Sequence, residues 1–332
     1  MKISVLGTGS WGFSLASLLA SKGYSVISWT TKEELAKDLN ASKEHPFLKG
    51  AKIHDQMHVT TDLKEALHQA DVLVESVTSA GLRPVFEQVK AIEVPNCPII
   101  LTSKGIEQGT GLILPEVIIE ILGENSREKI GFLSGPSYAS EVVKKLPTSV
   151  VGSSFSPNTM QIVCDLFTTK TFRVYPNSDI VGVSYGGALK NIIAIACGIS
   201  EGLGLGYSAK AALMTRGLHE MRKLAIAKGA KPDTLNGLSG MGDLCVTCSS
   251  VLSRNYKFGL LLAEGLTPDE AKEKIQMVVE GAYTCISALQ AAKSVKVEMP
   301  IAEAIYQIIY SKMTPSDAVS YLMEREIKKE HL

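Results

Sequence analysis

Residues 2–12 read Lys-Ile-Ser-Val-Leu-Gly-Thr-Gly-Ser-Trp-Gly, so that a short apolar strand runs directly into the spacing G-x-G-x-x-G. A helical stretch, Phe13 to Ala20, follows. In such a turn Gly7 allows the tight bend, Gly9 lets the backbone approach a pyrophosphate, and Gly12 lets the helix pack close to the strand. The helix N-terminus then presents free N–H groups and a partial positive charge to the phosphates. The stretch predicts a dinucleotide site; the alternative is a glycine-rich turn without a ligand.

The first half of the chain alternates short β-rich runs with helical stretches. The runs that predict strands are Lys2–Leu6, Ser25–Trp29, Val72–Glu75, Pro98–Thr102, Ile130–Leu133, Thr148–Val151 and Thr171–Val174. Helical segments fall between several of them, for example Lys32–Leu39, Leu63–Ala70 and Leu112–Ile121. Alternation of this kind predicts an α/β fold with a doubly wound, Rossmann-type parallel sheet.

Beyond about Tyr175 the pattern becomes helical and offers no convincing strand. The predicted helices are Ile180–Cys197, Ala209–Lys228, Thr267–Lys274, Gly281–Lys293 and Pro300–Lys312. Pro232, Pro268 and Pro300 sit near helix starts, where a missing N–H costs least. We therefore expect a dinucleotide-binding domain over residues 1–175 and an all-helical, substrate-binding domain over residues 176–332. The cleft should lie where the helices meet the carboxyl ends of the strands.

Composition limits the possible partners of this 332-residue chain. Its 34 basic and 34 acidic residues balance, so no nucleic-acid surface is indicated and a charged substrate must be met by a few local cations. No apolar run is long enough to predict a membrane span, and no basic and apolar leader precedes the first strand, so we expect a cytoplasmic protein. Cys245 and Cys248 form a C-x-x-C pair without two further ligands at zinc-site spacing, which favours reduced, mostly buried thiols and no metal.

Four blocks combine polar groups with small residues. Lys104 follows a predicted strand and points into the cleft by topology, unless it is a surface lysine; Gly135 to Ala139 also follow a strand. Lys190 lies in the otherwise apolar run G-G-A-L-K-N and either reaches solvent along its stem or is buried. A buried lysine needs a partner or its pKa falls, and it can then exchange a proton near neutral pH.

The fourth block runs from Gly237 to Asn255. Asp243 follows a glycine-rich loop and can act as a helix N-cap, which is its purely structural interpretation. Arg254 and Asn255 lie eleven to twelve residues, or about three helical turns, further on. An arginine beside an amide is suited to clamp a phosphate, because the guanidinium is planar and bidentate; the alternative is a surface arginine.

Taken in order, these motifs resemble the bacterial NAD(P)-dependent glycerol-3-phosphate dehydrogenases. The match runs from G-x-G-S-W-G through K-G-I, G-P-S-Y-A, G-G-A-L-K-N and G-x-G-D-L-x-x-T-C to S-R-N and V-V-E-G, over nearly the whole chain. The resemblance implies the two-domain fold and reduction of dihydroxyacetone phosphate to sn-glycerol 3-phosphate. It also implies a supply role for phospholipid synthesis and a homodimer.

The resemblance also implies roles for individual residues. Lys190 would give or take the proton, with Lys104 and Asp243 beside it as catalytic residues. Substrate contacts are implied for Lys104, Gly135, Ser137, Lys190, Asn191, Asp243, Thr247, Ser253, Arg254 and Asn255. Cofactor contacts are implied for Gly7, Gly9, Ser10, Trp11, Gly12, Thr31, Lys32, Lys104, Ala139, Arg254, Val278 and Glu280.

The end of the second strand bears on the choice of cofactor. Rossmann domains specific for NAD place an Asp or Glu there to bind the ribose hydroxyls, whereas Ser28-Trp29-Thr30-Thr31-Lys32 offers hydroxyls and a cation. This favours NADPH/NADP, with NAD also possible. Two other functions stay open at this point: a related Rossmann dehydrogenase of hydroxyacids or sugar acids, and a non-catalytic NADPH sensor.

Overall fold

The structure, a computed structural model, describes residues 1–327, 329 and 330. Its sheet has eight strands in the order β3-β2-β1-β4-β5-β6-β7-β8. The strands are β1 Lys2–Leu6, β2 Ser25–Trp29, β3 Met57–Thr60, β4 Val72–Glu75, β5 Ile99–Leu101, β6 Ile130–Ser134, β7 Thr148–Ser154 and β8 Phe172–Asn177. All neighbours are parallel except β6 and β7, whose register pairs Leu133 with Gly152.

Two features of the sheet correct the sequence analysis. The edge strand Met57–Thr60 was not predicted, because its four residues alternate too briefly to distinguish a strand from a loop. The antiparallel step at β7 contradicts an entirely parallel sheet. Residues 135–147, between β6 and β7, carry only the five-residue helix Ala139–Val143, which packs on the first helix and does not return the chain to the opposite edge of the sheet.

Helices cover both faces of the sheet, as the doubly wound prediction requires. They are α1 Ser10–Ser21, α2 Glu33–Asn40, α3 Leu63–Leu67, α4 Leu82–Ile92, α5 Leu114–Leu122, α6 Ala139–Val143 and α7 Pro157–Phe167. One apolar core joins the sheet to α1, α2, α6 and α7, and the other joins it to α3, α4 and α5. The sheet is therefore packed on both faces beneath the loops at its carboxyl edge.

The second half of the chain is helical over its described residues. Its α-helices are α8 Ile180–Gly202, α9 Gly206–Ala227, α10 Asp243–Cys248, α11 Arg254–Ala263, α12 Pro268–Ile275, α13 Glu280–Ser294, α14 Pro300–Tyr310 and α15 Pro315–Met323. Helix α8 is the axis of this half and packs against α9, α10, α11, α13 and α14. It is long and apolar enough to cross a bilayer, but 94% of its most apolar window lies inside the protein, as expected of a core helix.

The segment from Asp243 to Asn255 is not one continuous helix. The sequence analysis had counted this separation as about three turns of a helix. Helix α10 ends at Cys248, and α11 begins at Arg254 after a short loop. The break places the N-terminus of a second helix at Arg254, where backbone N–H groups are free to bind an anion. Ser253 is its N-cap, with the Tyr256 N–H donating to Ser253 Oγ at 3.3 Å.

Candidate active site

The glycine-rich loop has the geometry that a pyrophosphate needs. Gly7 has a φ of +110°, and a Cβ at this position would lie 2.5 Å from the carbonyl oxygen of Ser76. A Cβ at Gly12 would lie 1.9 Å from the carbonyl oxygen of Gly7, so α1 can approach the strand only with glycine there. A Cβ at Gly9 would meet nothing within 4 Å, and the space above the loop is open to a ligand. The three glycines therefore fit the dinucleotide interpretation.

Helix α1 points its N-terminus at this open space. Its first backbone hydrogen bond runs from the Phe13 N–H to the carbonyl of Gly9 at 2.8 Å. The N–H groups of Ser10 and Trp11, at the start of the helix, precede that bond and belong to the set that a helix leaves for an outside acceptor. The Trp11 side chain packs against the sheet core, which fixes the first turn.

The end of β2 carries hydroxyls and one cation. Thr8 Oγ1 lies 2.8 Å from Ser28 Oγ and 2.9 Å from the carbonyl oxygen of Trp29, which joins the glycine-rich loop to β2. Thr31 and Lys32 are exposed. Two acidic residues, Glu33 and Glu34, follow in the first turn of α2, so the local charge is mixed.

Asp243 is the centre of a buried charged cluster. Its side chain is 1% exposed, and its two carboxylate oxygens face two different lysines. Lys104 Nζ donates to Oδ2 at 2.5 Å, and Lys190 Nζ donates to Oδ1 in a short contact. The N-cap of α10 is Gly242, and no side chain caps it. Asp243 is therefore not the N-cap that local sequence allowed; it is an ion-pair partner of both lysines.

Lys190 is buried rather than extended toward solvent. Its Nζ also donates to Thr247 Oγ1 at 2.8 Å, and that hydroxyl donates in turn to the carbonyl of Asp243 at 2.5 Å. Burial lowers the pKa of Lys190 to about 8, and Lys104 acts in the same direction, whereas Asp243 opposes the shift. An amine in this range exchanges a proton near neutral pH.

Close backbone packing brings α8 to the carboxyl edge of the sheet. A Cβ at Gly187 would lie 2.7 Å from Ser134 Oγ and 3.3 Å from Lys104 Cγ. Gly187 of G-G-A-L-K-N thus allows the helix that carries Lys190 to lie against the loop that carries Lys104, whereas Gly186 faces the carbonyl of Ser239. The carbonyl of Gly135 accepts from Lys104 Nζ at 3.3 Å and from Ser137 Oγ at 3.1 Å.

The beginning of α11 supplies the second polar group of the site. Over the described part of the chain, the guanidinium of Arg254 has no hydrogen-bond or ion-pair partner, and its side chain is partly exposed. Asn255 is 7% exposed, and its Oδ1 accepts from the Gly281 N–H at 2.8 Å. The amide oxygen of Asn255 therefore holds α13, and its amide nitrogen is the atom left to bind a ligand.

Helix α13 completes this side of the cleft. Asn191 Nδ2 donates to Glu280 Oε2 at 3.2 Å, and a Cβ at Gly281 would lie 2.6 Å from the carbonyl of Asn191. Glu280 is the first residue of α13, and Val278 lies just before it and is 42% exposed. Ala139 is separate from this group, at the start of α6, which packs on α1.

The structure thus brings the predicted residues into two groups. Lys104, Gly135, Ser137, Lys190, Asp243 and Thr247 are linked by direct hydrogen bonds. Asn191, Asn255 and Glu280 are linked around the starts of α11 and α13. The sequence analysis did not single out Glu75, a buried carboxylate at the end of β4; the only indication was an acidic residue closing the apolar run Val-Leu-Val.

Comparisons with known proteins assign the chain to a family. The sequence models of the NAD-dependent glycerol-3-phosphate dehydrogenase N-terminus and C-terminus match residues 2–160 and 179–320. A protein named glycerol-3-phosphate dehydrogenase [NAD(P)+] from Protochlamydia amoebophila is 64% identical over 331 residues, which cover 100% of this chain and 99% of that protein. A protein of the same name from Chlamydia felis is 53% identical with the same coverage.

A solved structure agrees with these matches. The crystal structure of glycerol-3-phosphate dehydrogenase from Coxiella burnetii superposes with a TM-score of 0.93 at 36% identity. The superposition covers 98% of this chain and 99% of that one, so it includes both the sheet and the helical half.

Proposed function

The chain belongs to the NAD-dependent glycerol-3-phosphate dehydrogenase family, and we propose that Lys190 is the proton donor of its reaction. The reaction interconverts dihydroxyacetone phosphate and sn-glycerol 3-phosphate with NAD(P)H. The observation that carries this proposal is the burial of Lys190 between Asp243 and Thr247, with a pKa of about 8. The family match removes the two other functions left open by the sequence. Substrate reduction also explains why two lysines pair with one carboxylate. A non-catalytic NADPH sensor would not need this cluster of charges.

The charges of the cluster suit a carbonyl that gains negative charge. Two ammonium groups share one carboxylate, so Lys104, Lys190 and Asp243 together leave one positive charge at the site. When bound, NAD(P)H would supply the hydride for the ketone carbon. Lys190 then stabilises and protonates the developing alkoxide, Lys104 adds positive potential, and Asp243 orients both ammonium groups.

The phosphate of the substrate belongs at the start of α11 in this proposal. Arg254 supplies an unengaged guanidinium, Asn255 an amide nitrogen, and Ser253 and the first turn of the helix supply further donors. Asn191 and Thr247 border the glycerol carbons between this end and Lys190. Gly135 and Ser137 close the opposite wall beside Lys104.

In the same proposal, residues at the carboxyl edge of the sheet would hold the cofactor. The loop from Gly7 to Gly12 would hold the pyrophosphate, and Thr31 and Lys32 would bind the 2′-phosphate of NADPH. Ala139, Val278, Glu280 and Arg254 border the remainder of the cofactor. We place the boundary between the dinucleotide-binding and substrate-binding domains after residue 175, in the last strand of the sheet.

A cytoplasmic location and supply of sn-glycerol 3-phosphate to phospholipid synthesis complete the proposal. We also propose that the protein forms a homodimer.

A groove of about 580 Å³ between α9, α14 and α15 is lined largely by apolar side chains such as Leu213, Ile305 and Leu322, and by Met323, which is 80% exposed. We propose that a second copy of the chain covers this groove. Light scattering during gel filtration should give twice the chain mass, and a Met323→Asp variant should shift the equilibrium toward monomer; a monomer at all concentrations contradicts the dimer.

The pH dependence of both directions tests the role of Lys190. Reduction needs the ammonium form, so kcat/KM for dihydroxyacetone phosphate should fall as pH rises through about 8. Oxidation of sn-glycerol 3-phosphate needs the neutral amine, so its kcat/KM should rise over the same interval. Asp243 raises the pKa of Lys190, and Asp243→Asn should therefore move both limbs to lower pH. Profiles that do not respond to Asp243→Asn would contradict the assignment.

A further inference from the structure

Glu75 is a carboxylate buried inside the sheet, outside the groups assigned above. It closes β4, is 0% exposed, and lies in register with Leu6 on one side and Leu101 on the other. No ion-pair partner of Glu75 exists within residues 1–327, 329 and 330. An apolar side chain would fill such a position without the cost of burying a polar group, so the carboxylate calls for another explanation.

The carboxylate joins two loops at the carboxyl edge of the sheet. The Val77 N–H, in the loop after β4, donates to Glu75 Oε1 at 2.8 Å. Ser103 Oγ, in the loop after β5, lies 2.6 Å from the same oxygen and also makes a short contact with the carbonyl oxygen of Val77, so its one proton is shared between these two acceptors. The Ser103 N–H points to Oε2 at 3.4 Å. The main chain of Glu75 adds a third tie, since its carbonyl accepts from the N–H and Oγ1 of Thr102 at 3.0 and 2.7 Å.

Each of these two loops contacts a different part of the proposed active site. Ser103 is followed by Lys104, whose Nζ lies 2.5 Å from Asp243 Oδ2. Ser76 abuts the glycine-rich loop, because its carbonyl oxygen is the atom that a Cβ at Gly7 would meet at 2.5 Å. The carboxylate of Glu75 therefore lies below the point where the pyrophosphate loop and the Lys104 loop come together.

We propose that Glu75 is a positioning residue for the reduction: by binding Ser103 and Val77 at once, it fixes the loop that directs Lys104 onto Asp243. The inference rests on the proposed role of Lys104. Glu75 does not touch the substrate; it acts through the direction of the Lys104 side chain. Small displacements of a group at the reacting atoms lower the rate strongly, by about 10²-fold for about 1 Å.

Burial raises the pKa of Glu75 to about 7, and the bonds from Ser103 and Val77 oppose that rise. The hydrogen bonds thus favour the ionised form, in which both oxygens accept. A glutamine has the same shape but only one oxygen, and its amide nitrogen would face the N–H of Ser103 or Val77. Glu75→Gln should therefore fold and loosen one of the two loops.

Glu220 provides a matched control variant. It is also a buried carboxylate that accepts from two backbone N–H groups, those of Ile301 at 2.8 Å and Ala302 at 3.4 Å, at the start of α14. Burial raises its pKa as well, to about 8. Its partners belong to the helical half and to none of the loops of the active site, so Glu220→Gln reports the general effect of neutralising a buried carboxylate.

The experiment is a double-mutant cycle between Glu75→Gln and Lys104→Met, with kcat, KM and NADPH affinity measured for each variant. We expect Glu75→Gln to lower kcat by about 10- to 100-fold, in the range of a displaced catalytic group, with Glu220→Gln close to the parent enzyme. In the Lys104→Met background, Glu75→Gln should have little further effect, because the group it positions is gone. Ser103→Ala should reproduce part of the loss, and Ser103→Thr, which keeps a hydroxyl, should restore most of it.

The possible failures are distinguishable. Full activity of Glu75→Gln beside an impaired Lys104→Met overturns the inference about Glu75 alone, as does an equal fold-loss in both backgrounds. Full activity of Lys104→Met overturns the proposed role of Lys104, and the inference about Glu75 with it. If Glu75→Gln does not fold, Ser103→Ala and Ser103→Thr in the two Lys104 backgrounds give the same test.

Discussion

The two regions that we propose as the pyrophosphate loop and the reaction centre differ in how they interact with charge. The loop Gly7–Gly12 contains no charged side chain and offers backbone N–H groups at the start of α1. The proposed reaction centre consists of Lys104, Lys190 and Asp243, whose side chains are charged, at most 14% exposed and bonded to one another. In this proposal the cofactor is bound mainly by backbone N–H groups, whereas the chemistry depends on charged side chains whose burial costs free energy.

The two regions also differ in how they are assembled. The loop is continuous in sequence, so its spacing alone carries the geometry. The reaction centre joins residues 139 and 53 positions apart, on the β5 loop, α8 and α10. A substitution in the first region should therefore change binding or packing locally, and one in the second should change turnover while cofactor binding survives.

The largest effect is expected from removing the amine of Lys190. Lys190→Ala should lower turnover by about 10²–10⁴-fold, the usual contribution of general acid–base catalysis. NADPH affinity, measured by nucleotide fluorescence, should stay close to that of the parent enzyme, because the pyrophosphate loop is untouched. Lys190→Met, which fills the same volume, serves as the variant that separates lost chemistry from a packing defect. Turnover near the parent value in both variants would contradict the assignment.

The next effect concerns Arg254 and the phosphate. Arg254→Ala should cost about 2–5 kcal/mol of transition-state binding, as for truncating one partner of a desolvated charge pair. Arg254→Lys should also be impaired, because an ammonium cannot reproduce the planar donor fork. The loss should be measured as kcat/KM for dihydroxyacetone phosphate and be much smaller for unphosphorylated dihydroxyacetone.

Lys257, an exposed lysine on the same helix, gives the control for that experiment. Lys257→Ala should leave kcat/KM for both substrates unchanged, since surface substitutions usually act within about 0.5 kcal/mol. An equal loss for the phosphorylated and unphosphorylated ketones in Arg254→Ala would show that Arg254 is not the phosphate clamp.

The contrast between the two regions also explains what the sequence could predict. Local spacing predicted the dinucleotide site, and the alternation of strands and helices predicted the doubly wound sheet with helices on both faces. The environment of Asp243 could not be predicted from local spacing. A carboxylate after a glycine-rich loop satisfies the local rules for an N-cap, and the lysines that Asp243 actually binds are distant in sequence. The direction of β7 and the presence of β3 depend on the strands with which these segments pair. A short apolar run does not specify its pairing partner.

Gly9 and Gly12 offer a test within the loop itself. Gly9 has a φ of −70°, which any residue adopts, and a side chain there would meet nothing within 4 Å. Gly9→Ala should therefore keep the parent melting temperature and weaken NADPH binding by about 10-fold, or about 1.4 kcal/mol, if the pyrophosphate lies where we propose. Gly12→Ala should instead lower the free energy of unfolding by about 1–3 kcal/mol, because its Cβ meets backbone. Unchanged NADPH affinity in Gly9→Ala would contradict the placement of the pyrophosphate.

The smallest effect is expected at the adenosine end. We predict that kcat/KM for NADPH is at least as high as that for NADH, because Ser28 to Lys32 offer hydroxyls and a cation in place of a carboxylate. Lys32 is exposed and lies within a turn of Glu33 and Glu34, so Lys32→Ala should lower kcat/KM for NADPH by only about 0.2–1 kcal/mol and leave NADH unaffected. Lys37→Ala, on the same helix and also exposed, should change neither value. The effect of Lys32→Ala should shrink at high salt, since an exposed charge pair is screened. A strong preference of the parent enzyme for NADH would refute this interpretation of the end of β2.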